Sequence, residues 1–95
     1  MITFLLYFPA VKLEGTYEGH IFDDRQLSFN LGEGEAENVI EGIEVGLEKF
    51  KKGETSKLII KPKFAFGNEG SSLFGVPANA TIEYVVTLIS FEKVK

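Results

Sequence analysis

The stretch NVIEGIEVGLEKFKKG, residues 38–53, decides how the whole chain is read. Asn38 is a good N-cap residue, and Glu41 stands three positions on, the spacing of a capping box. Ile40, Ile43, Leu47 and Phe50 recur at steps of three, four and three, which is one face of a helix. Glu41 and Glu44 fall early and Lys49, Lys51 and Lys52 late, which complements the helix dipole, and Gly53 supplies a stop. These signals agree on a helix over residues 38–52. Gly42 and Gly46 oppose it, since each costs about 1 kcal/mol against Ala in a helix interior. Four apart, they share a face, and close approach of that face to another backbone would compensate.

Outward from this helix the pattern changes to period two. Val11 and Leu13 alternate with Lys12 and Glu14 before Gly15 and Gly19 open a turn. In residues 26–31, Leu27, Phe29 and Leu31 point one way and Gln26, Ser28 and Asn30 the other. The following GEGEAEN, residues 32–38, contains glycines, but Glu33, Glu35 and Glu37 would repel an anion, so it reads as a solvated turn. Two more strands are expected, over 54–60 and 81–92. The second has Ile82, Tyr84, Val86 and Leu88 on one side and Val85 and Ile89 on the other. One helix laid on one face of an antiparallel sheet is an α+β domain.

The chain is 95 residues long, enough for one domain and one core. Ten Lys+Arg stand against fourteen Asp+Glu, and no basic run exceeds Lys51-Lys52, so the charge footprint of a nucleic-acid binder is missing. Cysteine is absent and His20 is the one histidine, which rules out thiolate chemistry and a His-built metal site and suits a reducing cytoplasmic setting, with the nucleus also open to it. No metal or cofactor is expected. Asp23-Asp24 lack further ligand residues and read as a turn or an ion pair with Arg25. Ser71-Ser72 have no base nearby, and neither a nucleophile elbow nor a phosphate loop occurs.

The apolar start, MITFLLYFP over residues 1–9, lacks the basic lead of a signal peptide and is shorter than the roughly 20 residues a membrane span needs. It is expected to be a lead-in of its own, a strand on the same core or a shortened start, ahead of a single domain over 10–95. Last comes KPKFAFGNEG, residues 61–70, in which Pro62, Gly67 and Gly70 bar helix and regular strand. Phe64 and Phe66 in that loop either plug the core or line a ligand cavity.

Three stretches carry a resemblance: IFDDR (21–25), VIEGIEVGLEKFKKGETSKLIIKPKFAFG (39–67) and VPANATIEYVVTLISFE (76–92). In this order they resemble the FK506-binding protein (FKBP) family of peptidyl-prolyl isomerases over nearly all of residues 10–95. The resemblance implies a strongly bent antiparallel sheet of about five strands wrapped on one short helix. It also implies rotation of X-Pro bonds of protein substrates in an apolar pocket without covalent chemistry. By the same resemblance Phe22 and Asp23 form the pocket wall and Leu27 stands at an aromatic position. Val39 and Ile40 lie where the helix begins, and the Ile40 N–H would bond a substrate carbonyl. Ile43 is the floor, Phe66 the loop aromatic, and Tyr84 an aromatic of the last strand, while Phe64 would plug the core.

Three positions depart from the family pattern. Ile43 replaces a Trp floor, Phe66 lacks the hydroxyl of the usual Tyr, and Leu13 replaces a Tyr of the first strand. This combination resembles the second, degenerate FKBP domain of the large immunophilins, co-chaperones in which a tetratricopeptide region follows. It implies weak or absent isomerase activity and weak or absent binding of the macrolides tacrolimus and rapamycin. It leaves a protein-interaction or spacer role within chaperone complexes as the alternative.

Overall fold

A computed structural model describes residues 7–93. Two strands, β1 (Tyr7–Tyr17) and β2 (His20–Ser28), form a hairpin closed by Glu18 and Gly19. Both closing residues have positive φ, 49° and 83°, the sense that matches strand twist in a two-residue hairpin loop. A 3-10 turn (Gly34–Glu37) leads to α1 (Glu41–Leu47), followed by β3 (Thr55–Ile60), a 3-10 turn (Pro62–Phe64) and β4 (Ile82–Lys93). All pairings are antiparallel, in the order β2-β1-β4-β3, so the described residues form four strands where about five were expected.

The period-two reading of β1 and β4 holds residue by residue. Val11, Leu13, Ile82, Tyr84, Val86 and Leu88 are buried on the face that α1 covers with Ile43 and Leu47. The outer face keeps Glu83 exposed and Ile89 38% exposed, while Val85 is half-buried. Gly42 and Gly46 explain themselves by contact. A Cβ on Gly42 would stand 2.6 Å from Ile60 Cγ2 and 3.1 Å from the Phe64 carbonyl oxygen; one on Gly46 would stand 2.8 Å from Leu58 Cδ1. The helix can press against β3 only where it has no side chain.

The helix is shorter than its pattern. It spans seven residues, Glu41–Leu47, with Ile40 in the N-cap position and no side-chain cap bond. Asn38 does not cap it; at φ 61°, ψ 35° it ends the preceding 3-10 turn in a left-handed conformation. The GEGEAEN stretch is thus partly helical, and its left-handed end redirects the chain before α1 begins. Beyond Leu47, the Lys49 N–H bonds the Gly46 carbonyl and the Phe50 N–H that of Leu47, tight turns that keep Phe50 packed on the core. Gly53 does not stop the helix. Its φ is +85°, and its N–H reaches the Leu88 carbonyl at 2.7 Å, which swings the chain into β3 beside β4.

The strand expected over 26–31 begins earlier and stops at Ser28. Phe29 and Leu31 are buried as read. The Phe29 N–H still reaches the in-register Pro9 carbonyl at 3.2 Å, but Pro9 has no N–H to return, and the Glu33 N–H closes a turn on Asn30. Of the apolar start, Tyr7, Phe8 and Pro9 lie in β1 opposite Lys93, Glu92 and Phe91, with a register shift following between Ala10 and Val11. Residues 1–6 lie outside the described residues.

Candidate functional site

The chain between β3 and β4 builds one wall of the site from its own hydrogen bonds. The Gly67 N–H bonds the Pro62 carbonyl at 2.8 Å, Ser71 and Val76 exchange a pair at 2.8 and 2.9 Å, and the Asn79 N–H returns to Gly67 at 2.9 Å. Gly70 has φ +72°, and a Cβ there would stand 2.5 Å from the Val76 carbonyl oxygen, so only glycine lets the two arms close this tightly. This frame presents Phe66 and Phe74 toward the start of α1.

Between them lies a cavity of about 520 Å³. Val39 and Ile40 wall it on the helix side, and Ala65, Phe66, Leu73 and Phe74 on the loop side. Glu35, Glu41 and Glu44 bring carboxylates to its boundary. Among the described residues no group accepts from the Ile40 N–H, which precedes the helix and so lacks an intrahelical partner.

Behind the cavity the rings pack on one another. Phe22 stands edge-on to Phe66 at 6.0 Å, to Phe74 at 5.7 Å and to Tyr84 at 5.6 Å between ring centroids. Edge-to-face contacts of this kind contribute about 0.5–1.5 kcal/mol each beyond area burial. Beneath them the buried Tyr84 hydroxyl donates to Asp23 Oδ2 at 2.5 Å. Burial first, then the hydrogen bond and charge of Asp23, push the Tyr84 phenol above its usual range, with the nearby Arg25 charge opposing.

Arg25 closes the arrangement. Its Nε pairs with Asp23 at 3.0 Å, while Nη1 and Nη2 donate to the carbonyls of Glu37 and Asn38 at 2.6 and 2.7 Å. Its guanidinium carbon lies 5.6 Å from the centre of the Phe74 ring. One side chain thereby ties β2 to the segment that starts α1. Glu44 holds the same segment from the other side, accepting from the N–H groups of Gly32 and Gly34.

Of the residues expected in the site, Val39, Ile40 and Phe66 line the cavity. Phe22, Asp23 and Tyr84 form the layer behind it. Leu13 and Ile43 are fully buried in the core and Leu27 is half-buried against it; none of the three forms part of the cavity wall. Phe64 does not plug the core. It is 41% exposed, on the far side of α1, with Lys63 Nζ 5.7 Å from its ring centre. Three contributors were missed. Phe74 gives the same signal as Phe66, an aromatic directly before a glycine in a loop; the readings of Arg25 as an ion-pair partner and of Glu44 as a dipole complement understate both. Of the Asp23-Asp24 pair, Asp23 is engaged by Tyr84 and by the expected ion pair with Arg25.

Residues 9–89 match the model of the FKBP-type peptidyl-prolyl cis-trans isomerase family. The chain belongs to this family. It is 44% identical over 86 residues to FK506-binding protein 59 of Drosophila melanogaster, covering 90% of this chain and 20% of that one. To the human peptidyl-prolyl cis-trans isomerase FKBP4 it is 44% identical over 85 residues, covering 90% and 18%. This FKBP-type chain therefore spans about a fifth of the length of these relatives. Among solved structures, FkpA from Escherichia coli superposes with a TM-score of 0.80 at 32% identity, over 96% of this chain and 42% of that one. The N-terminal domain of FKBP42 from Arabidopsis thaliana superposes at 0.81 with 24% identity, over 93% and 74%, and shares the fold. The α+β, FKBP-like reading of the sequence is thereby established, with four described strands in place of about five. Among the described residues no helix is long and apolar enough to cross a membrane.

Proposed function

We propose that this FKBP-type domain accelerates rotation about X-Pro bonds of protein substrates, weakly, in the cavity bounded by Val39, Ile40, Phe66 and Phe74. The cavity itself supports the reading: apolar side chains, Phe66 and Phe74 among them, line the part of it away from the glutamates, and an uncommitted backbone donor stands on Ile40. The uncatalysed barrier is about 18–20 kcal/mol because the amide is conjugated. A pocket that holds the proline ring and favours the twisted amide lowers that barrier with no nucleophile. In this reading Phe66 and Phe74 hold the ring, the Ile40 N–H binds a carbonyl, and Phe22, Asp23 and Tyr84 act from behind the wall.

Weakness follows from the same side chains. Phe66 offers no hydroxyl to a ligand carbonyl, and Ile43 is wholly buried, so no flat ring lies open beneath a proline. The mutual packing of Phe22, Phe66 and Phe74 favours a second reading, a non-catalytic interaction or spacer domain in a longer, chaperone-associated protein of the cytoplasm or nucleus. Such packing stabilises the fold with no ligand present.

A protease-coupled isomerisation assay on a short X-Pro peptide tests the two. The expected result is a small acceleration over the thermal rate, reduced by Phe66→Ala and raised by Ile43→Trp, Phe66→Tyr and Leu13→Tyr combined. Overpacking at the two buried positions costs about 1–3 kcal/mol, so each variant is first checked by circular dichroism. A folded triple variant that, like the parent, leaves the thermal rate unchanged would favour the spacer role.

A further inference from the structure

The cavity beside Phe66 is charged on one side and apolar on the other. Its ionisable lining residues are all acids: Glu35 in the first 3-10 turn, Glu41 at the start of α1, and Glu44 three residues on. No lysine or arginine lines it. Arg25, on the other side of Phe74, directs its nitrogens to Asp23 and to the carbonyls of Glu37 and Asn38. Glu44 is committed to the N–H groups of Gly32 and Gly34. Glu35 and Glu41 are exposed, and among the described residues neither side chain has a hydrogen-bond or ion-pair partner. On the loop side Leu73 lines the cavity while 67% exposed, which puts an apolar side chain at its mouth.

A volume of about 520 Å³ falls within the roughly 300–1,000 Å³ of sites that enclose a whole small molecule. More than a proline ring therefore enters, and the residues flanking that ring come within reach of the rim. A cleft lined by one sign of charge concentrates ligands of the other sign, and low-dielectric walls strengthen the effect. The two uncommitted carboxylates attract an ammonium or guanidinium group beside the proline and repel a carboxylate there. The methylene stem of a lysine or arginine can meanwhile lie along Ile40 or Phe66.

We propose that this cavity selects X-Pro segments in which the proline is flanked by a basic residue on one side and an apolar residue on the other. The proposal rests on the reading that prolines enter beside Phe66, and it names the substrate class of that site. Glu35 and Glu41 are the specificity-determining residues, and Leu73 meets the apolar flank. Neither acid takes part in the rotation, so charge governs how much substrate is bound and not how fast a bound proline turns.

The probes are two acetylated, amidated tetrapeptides, alanine-lysine-proline-leucine and alanine-leucine-proline-lysine, with counterparts carrying glutamate or alanine in place of lysine. Each is titrated into the whole chain and followed by NMR. Binding is read from the amides of Ile40, Phe66 and Phe74, and cis-trans exchange from the peptide's own signals. At low salt at least one lysine peptide should bind about three-fold more tightly than its alanine counterpart and about ten-fold more tightly than its glutamate counterpart, as exposed ion pairs allow. Both ratios should shrink toward one as salt rises. Glu35→Gln with Glu41→Gln should bring the lysine-to-glutamate ratio below about two-fold, whereas Leu73→Ser should weaken both peptides and leave their ratio in place. Equal binding of lysine and glutamate peptides at low salt, or a preference unmoved by the double variant, would overturn the proposal. So would shifts centred away from Phe66, or no binding at millimolar peptide. Lysine-selective binding at these amides without faster exchange would uphold it and tell against the isomerase reading. Acceleration blind to charge would do the reverse.

Discussion

Removing a single oxygen tests the layer behind the cavity. Tyr84→Phe keeps the ring that meets Phe22 edge-on but deletes the hydroxyl that donates to Asp23 at 2.5 Å. Tyr84 is fully buried and Asp23 is 6% exposed, so water cannot replace the lost bond. A hydrogen bond to a charged group contributes about 1.5–3 kcal/mol. Arg25 remains on Asp23 and limits the loss toward the lower part of that range. For a domain of this size each kcal/mol moves Tm by about 4–8 °C, so Tm should fall by at least about 6 °C. A cycle with Asp23→Asn should give a coupling of about 1 kcal/mol, since the two changes remove parts of one interaction. Alkaline pH gives an independent reading. The phenol's ionisation is raised in the folded state above its ordinary value of 10.0, so the folded protein holds this proton more tightly than the unfolded chain does. Stability from this group is therefore complete below about pH 10 and declines as pH rises beyond it. Urea melts of parent and Tyr84→Phe across pH 8–11 should show a steeper alkaline loss in the parent. A variant within about 0.5 kcal/mol of the parent, uncoupled to Asp23 and with the same alkaline slope, would refute the reasoning.

Gly42→Ala should destabilise by about 1–2 kcal/mol in chemical melts, because its Cβ would meet Ile60 and the Phe64 carbonyl, and overpacking outweighs the helix propensity gained. Gly46→Ala, which meets only the flexible end of Leu58, should lie within about 1 kcal/mol of the parent. Glu44→Ala should speed hydrogen exchange at Gly32 and Gly34, whose N–H groups its carboxylate accepts, while exchange at Ile82–Lys93 stays slow. Tacrolimus and rapamycin should bind weakly or not at all. One lost ring stack and one lost hydrogen bond, each about 0.5–1.5 kcal/mol, already imply roughly five- to hundred-fold weakening, and nanomolar calorimetric binding would contradict this.

What the sequence determined by itself is what rests on periodicity and near neighbours. The two-residue period of Val11 and Leu13, and of Ile82 through Leu88, selected the buried faces of β1 and β4 correctly, because a pleated strand has only two faces. Ile43 and Leu47 likewise named the buried face of α1, and Gly42 with Gly46 announced a close approach of that helix, which the structure places at Leu58, Ile60 and the Phe64 carbonyl. Ordered motifs were enough to indicate the family. Local signals misled where a distant partner outbid them. Asn38 had the side chain of a helix cap, yet its backbone was claimed by the left-handed end of a 3-10 turn, with its carbonyl held by Arg25 from β2. Phe64 and Phe66 differ by two positions in one loop, and no pattern within that loop says which faces the cavity. That was decided by where residues 62–80 closed on themselves and where Phe22 and Phe74 already stood. The Tyr84–Asp23 bond joins residues 61 apart, and the sequence marks neither as the other's partner. Only the register of β4 on β1, and of β1 on β2, sets Tyr84 opposite Gly15 and Gly15 opposite Asp23, with space for the rings of Phe22 and Tyr84 where Gly15 has no side chain.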